Sequence, residues 1–172
     1  MTYILSQIFG GLVFLFIFAS MQTKDIKRVL LCQIGCNGFG MLSYVLIGGF
    51  SGCGIYLIAT LQSIIFFWLR IKNREAPRWL NPVILAAYVG CSAFMFAGWI
   101  DIFPMVAAVL CAFGIAQKKA TNYRIIMLLN SSVWIVYDLF MGAYTMLASH
   151  IFTVASALLG IIRLDLLPKF KK

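Results

Sequence analysis

The sequence predicts an all-α membrane protein with seven transmembrane helices, arranged as two parallel three-helix bundles joined by a linker helix. Three observations point there: seven long apolar stretches, basic residues confined to alternate connections, and an internal match at an offset of 93 residues. The composition already requires a bilayer. Of 172 residues, 63% are hydrophobic and 11% are charged, with mean hydropathy +0.98. A soluble domain carries about 25% charged residues, so this chain has too little charge to coat a globule in water.

The apolar stretches run at residues 3–20, 29–50, 52–69, 82–100, 102–116, 125–143 and 144–162. A helix needs about 17–25 residues to cross the hydrocarbon core. The fifth stretch is short and must borrow Asp101 or Gln117 at its ends. Tight small-residue turns (Gly48-Gly49-Phe50-Ser51-Gly52 and Gly142-Ala143) separate the second stretch from the third and the sixth from the seventh. Segments joined so closely pair as antiparallel helical hairpins. The runs are continuous rather than alternating with period two, which excludes a β-barrel.

The net charge of +9 belongs to topology and to anionic lipid, not to nucleic acid. Lys24, Lys27 and Arg28 follow the first segment. Arg70, Lys72, Arg74 and Arg78 follow the third, and Lys118, Lys119 and Arg124 the fifth. Arg163, Lys169, Lys171 and Lys172 follow the seventh. All fourteen basic residues therefore fall on one side of a seven-span chain. Cytoplasmic loops carry the Lys/Arg excess, which places the amino terminus outside and the carboxyl terminus in the cytoplasm. Residues 21–28, 70–81, 117–124 and 163–172 are expected to be cytoplasmic. No basic residue precedes the first apolar run, so it reads as a retained helix and not as a cleaved signal. Cys32, Cys36, Cys53, Cys91 and Cys111 form no CxxC and no metal spacing, and no cofactor is implied.

Sliding the chain by 93 residues sets Asn37 on Asn130, Tyr44 on Tyr137, Leu46 on Leu139, Gly49 on Gly142, Ile58 on Ile151, Thr60 on Thr153, Ser63 on Ser156 and Arg70 on Arg163. Most of these identities are polar residues or glycine, which are scarce in greasy helices. A three-helix unit that starts outside ends inside, so a second copy in the same orientation needs one more crossing. The fourth segment supplies it. Residues 1–70 form the first repeat, 71–101 a cytoplasmic loop and linker helix four, 102–163 the second repeat, and 164–172 a basic tail. Parallel repeats are a known transporter plan, with the binding site between them near the midplane.

Asn130, Trp134 and Tyr137 in the run Asn-Ser-Ser-Val-Trp-Ile-Val-Tyr resemble the Asn-x3-Trp-x2-Tyr signature of the second triplet in SWEET sugar transporters and the wider PQ-loop superfamily. The opening from Met1 through Gln7 and the two Tyr/Gly hairpins resemble the YgjV-type family of bacterial inner-membrane proteins along nearly the whole chain. The first resemblance implies a SWEET-like 3+1+3 fold and a solute pocket between the triplets. SWEETs resemble one another in their hinge prolines, whereas here Pro104 is the one candidate inside a span. Gly10-Gly11 and Gly35, Gly38 and Gly40 are expected to supply flexibility instead.

Asn130, Trp134 and Tyr137 share one helix face, as do Asn37 and Tyr44. A buried amide facing hydrocarbon is costly. Each Asn therefore faces protein or a wet cavity, as pocket residue or as interhelical glue. Asp138 is an acidic residue within a span and by default a functional candidate; the alternative places it near the outer headgroups. His150, the single histidine, sits where the SWEET resemblance puts a substrate-binding Asn. It is expected to bind solute, to exchange a proton with Asp138, or merely to pack. The candidate substrate-binding set is Asn37, Tyr44, Asn130, Trp134, Tyr137, Asp138 and His150. Gln33, Gln62, Thr60 and Thr153 complete the buried polar residues.

No paired carboxylates, Ser/His/Asp order or phosphate-binding Gly loop is present, so neither catalysis nor ATP use is expected. Amides, Trp, Tyr and His suit a neutral hydroxylated solute such as a sugar or nucleoside, moved by alternating access. A receptor or sorting protein is the competing class, since the KDEL receptor is similar to this fold and reads peptides in its pocket. A homo-oligomer is compatible with either.

Overall fold

Each apolar stretch forms a helix. The computed structural model describes residues 2–46, 50–94, 96, 98–141 and 144–166. The helices are α1 (Thr2–Met21), α2 (Ile26–Leu46), α3 (Phe50–Ile71), α4 (Leu80–Phe94), α5 (Ile102–Ala116), α6 (Ala120–Met141) and α7 (Tyr144–Gly160). Among the described residues four spans are long and apolar enough to cross a bilayer: Ile4–Met21, Cys53–Ile71, Trp99–Ala116 and Met146–Asp165. The third of these gains its length from a 3-10 turn, Trp99–Asp101, set directly before α5. Asp101 closes that turn by accepting the Gly98 N–H at 2.9 Å. The fourth span gains from a π-helical turn, Ile161–Leu166, that continues α7. The other two long helices, α2 and α6, carry the buried polar residues Gln33, Asn37, Asn130 and Asp138.

Two boundaries differ from the sequence reading. The fourth helix stops at Phe94 after 15 residues, although the apolar run continues to residue 100. Fifteen residues rise only about 22 Å, short of the ~30 Å core. The sixth helix begins at Ala120, so Arg124 lies inside it and not in a loop.

Neighbouring helices close a ring. α1 packs on α2 and α2 on α3, while α5 packs on α6 and α6 on α7. α1 also meets α7 and α3 meets α5, which joins α1–α3 to α5–α7 along two seams; α4 lies against α5 and α3. Among the described residues the basic connections after α1, α3 and α5 and the turn that continues α7 meet at one end of the bundle. Glu75 in the third connection pairs with Lys118 in the fifth. Arg124, near the start of α6, donates to the carbonyl of Thr23 in the first connection and pairs with Asp165 beyond α7.

The duplicated pattern has a geometric counterpart. Adding 93 to the limits of α2 gives 119–139, against Ala120–Met141 for α6. The same shift carries α3 to 143–164, against Tyr144–Gly160 and its π-helical continuation. Thr60 donates to the Tyr56 carbonyl at 2.7 Å, and Thr153 to the Ser149 carbonyl at 2.8 Å. These are corresponding bonds between corresponding residues.

Gly40 serves close approach rather than flexibility. A Cβ there would come within 2.5 Å of the Tyr56 ring on α3, so only glycine lets the two helices meet at this distance. Pro104 sits in the first turn of α5, where a missing N–H breaks no helical bond. It is no mid-span hinge.

Candidate functional site: the central cavity and the polar clamp below it

A cavity of about 60 Å³ lies on the axis of the ring. Each of the six ring helices contributes to its wall, through Met21 (α1), Asn37 (α2), Tyr56 (α3), Cys111 (α5), Trp134 (α6) and His150 (α7). Gln33, Asn130, Ser131 and Thr153 add further polar groups. At ~15 Å³ per water it has room for ~4 waters. A sugar-sized solute needs a pocket nearer ~300 Å³. The cavity is therefore smaller than such a solute, and apolar groups, among them Ile17, Ile55, Ala107 and Met127, share its wall with the polar ones.

The two repeat-related asparagines are treated differently. The Asn37 amide donates to Ser63 Oγ at 3.4 Å, and Ser63 in turn donates to the Ala59 carbonyl. Asn130 makes a long contact from its amide nitrogen to Met127 Sδ, 3.7 Å. Its Oδ1 is buried with no partner among the described residues. A buried acceptor left unpaired costs about 1–3 kcal/mol, so this oxygen is poised to receive a donor from water or solute.

His150 is fixed on two sides. Its Nδ1 lies 2.8 Å from Asp138 Oδ2, and its ring stacks on Trp134 at 5.6 Å with 6° between the planes. Tyr137 meets the edge of Trp134 at 5.6 Å. With the carboxylate as acceptor, Nδ1 carries the proton and Nε2 is left to hydrogen-bond elsewhere. One face of Trp134 is thus occupied by the imidazole.

Below the cavity, at the basic end, polar side chains close both seams. On the α1/α7 side, Arg124 donates to the Met21 carbonyl at 2.8 Å and to Asp165 at 2.7 Å. Gln22 donates to the Ser156 carbonyl at 3.1 Å, and Thr121 donates to Asp165 at 2.7 Å. On the α3/α5 side, Gln62 donates to the Ala112 carbonyl at 2.7 Å and Arg70 to the Ala116 carbonyl at 3.4 Å.

The family model of the bacterial inner membrane protein family Imp-YgjV matches residues 4–167. The chain belongs to the Imp-YgjV family. No curated protein and no solved structure matches it.

In this YgjV-family protein, Asn37, Asn130, Trp134 and His150 come together at the cavity. Asp138 lies behind His150 and does not reach the lining. Tyr137 packs on Trp134, outside the lining. The Tyr44 side chain falls outside the described residues. Asp138 is 1% exposed, packed inside the protein.

Sequence reasoning missed the Arg124–Asp165 pair, having treated Arg124 as a loop charge. A signal for it exists. In an antiparallel hairpin, residues equidistant from the turn lie at equal depth, because both helices rise 1.5 Å per residue. The positions 138 and 150 sum to 288, and 124 and 165 to 289, so both pairs centre on residue 144 at the tight turn. The second pair is the register of the first continued to the far end.

Proposed function

We propose that this YgjV-family protein is a small-solute transporter that binds a neutral hydroxylated solute, such as a sugar or nucleoside, between two parallel triplets and works by alternating access without ATP. The observation that carries the proposal is the unpartnered Asn130 Oδ1 at a polar cavity on the axis where the two halves meet. Amides, hydroxyls and an imidazole line that cavity, and Asp138 is masked behind His150. Such a lining matches hydrogen-bonding groups better than ions.

In this reading the helices cross the membrane seven times in a SWEET-like 3+1+3 order, with the amino terminus outside and the basic end in the cytoplasm. The repeated helix limits and the clustering of basic connections support it. The polar clamp makes the described state closed toward the basic end. Solute entry widens the cavity, and exit to the cytoplasm requires the clamp to part.

The test is a thermal-shift screen of purified protein against sugars, nucleosides, vitamins and peptides, followed by flux in proteoliposomes. A ligand at a hundredfold excess over Kd stabilises by about 2.7 kcal/mol. Asn130→Ala and Trp134→Ala are expected to lose that shift while melting near the parent protein. If both variants melt in proportion to lost binding, the residues are structural and the site is wrong. Stabilisation without any flux would overturn transport in favour of a receptor.

A further inference from the structure

A second cavity, about 240 Å³, lies outside the ring between α3, α4 and α5. Its wall is mostly apolar: Pro82, Leu85, Ala112, Phe113 and Ala116, with Gln62 and Asn81 as its polar members. Asn81 and Pro82 belong to the first turn of α4, and Ala116 ends α5. One end of the groove therefore lies at the basic end of the bundle, while Leu85 and Gln62 extend it inward.

The surroundings of that end are strongly cationic. Arg70 donates to the carbonyl of Ala116, itself a lining residue, at 3.4 Å, and its Nε is buried without a partner. Arg74 and Arg78 are exposed on the connection that leads into α4. Trp79 beside them is 64% exposed, as suits an indole at a membrane interface. The acidic neighbour, Glu75, is paired with Lys118 and also feels the charge of Arg70, so one carboxylate stands against three arginines and a lysine at this end.

We propose that this groove is a binding site for one anionic phospholipid, with an acyl chain along Leu85 and Phe113 and its headgroup phosphate among Arg70, Arg74 and Arg78. An apolar trough opening onto cations matches an amphiphile with a negative head; a soluble anion would leave the trough empty. The site adjoins the α3/α5 seam, so an occupant would brace α4 against the second triplet.

Native mass spectrometry of the detergent-purified protein, titrated with phosphatidylglycerol and phosphatidylcholine of matched chains, tests this. One cation near an anionic lipid is worth about a fivefold preference. Phosphatidylglycerol should bind at least fivefold more tightly than phosphatidylcholine. Arg70→Gln, Arg74→Gln and Arg78→Gln together should bring it down to the phosphatidylcholine level, and Ala116→Leu, which fills the groove, should weaken both lipids. Circular dichroism and melting of each variant separate lost binding from lost fold. Equal affinity of the parent protein for the two lipids overturns the proposal. So does a preference that survives the triple variant, that disappears instead when Lys169, Lys171 and Lys172 are changed to Gln, or that is untouched by Ala116→Leu.

Discussion

The helix pair α2–α3 and the pair α6–α7 match at an offset of 93 residues, yet they bury opposite chemistry. Asn, Thr and Ser recur at corresponding positions in both. The buried ionisable residues do not. Arg124, Asp138 and His150 are 0%, 1% and 9% exposed, while their counterparts Leu31, Val45 and Leu57 are 53%, 46% and 46% exposed. Asp165 corresponds to Lys72, an exposed residue. The shared residues make a common helical frame, and the pair α6–α7 adds a charge pair at the basic end and a carboxylate–imidazole pair beside the cavity. The pair α2–α3 turns three apolar side chains and one lysine outward at the same places. The difference teaches that two helix pairs alike in frame distribute their buried ionisable groups unevenly.

The largest break of that asymmetry comes at the clamp. Asp165→Ala strands the buried Arg124 guanidinium, and removing one partner of a buried pair costs about 3–5 kcal/mol. The melting temperature should fall steeply, while Leu31→Ala at the counterpart of Arg124 should hardly move it. Similar melting of the two variants would show that the halves are equivalent. Gly160→Ala comes next. Its Cβ would press on the Met21 carbonyl and lie 3.1 Å from the Arg124 side chain, an overpacking worth about 1–3 kcal/mol. Ala at the counterpart Phe67 removes bulk instead of adding it, so detergent melting curves of the two should differ in cause. A Gly160→Ala loss that persists when Arg124 is also shortened would locate the strain at the backbone alone.

The cavity pair is expected to be smaller in stability and larger in function. Asp138→Ala removes the acceptor that orients His150, costing about 1.5–3 kcal/mol. Asp138→Asn retains an acceptor and should retain most of the stability. Leu57→Ala, at the counterpart of His150, should leave ligand binding intact, and loss of binding there would place the site elsewhere. The smallest effect concerns Glu75 in the third connection. Lys118, by hydrogen bond and charge, holds its carboxyl below the usual carboxylate range. The pair's contribution is thus present above the ordinary carboxylate value and is lost as pH falls through the lowered one. Glu75→Gln should flatten that acid-side change, and at neutral pH in physiological salt its melting temperature should match the parent protein.

Much of the fold was legible because apolar runs and basic connections are one-dimensional signals. The limits of α4 and α6 were not. The sequence stays apolar past Phe94, where α4 ends, and the first turn of α6, with Thr121, Asn122 and Arg124, reads like a loop until its partners are known. Of the site, Asn37, Asn130, Trp134 and His150 stood out as costly groups within spans. What stayed hidden was pairing across the hairpin: Asp165 is 41 residues from Arg124, and composition says nothing about depth. The tight turn at 142–143 held that information through the hairpin register.

Cysteine labelling tests most directly whether the axis between the halves opens to solvent. Cys36 and Cys111 line the central cavity, and both are free thiols. With Cys32, Cys53 and Cys91 replaced by alanine, a membrane-impermeant maleimide is applied to spheroplasts and to inverted vesicles. Alternating access predicts that both thiols label slowly in the folded protein, from each side in turn, and that Asp165→Ala raises the rate from the cytoplasmic side. Thiols that react from neither side in the parent and the variant alike, yet label fully once the protein is unfolded, would mean that the cavity never opens and that the polar residues around it only hold the helices together.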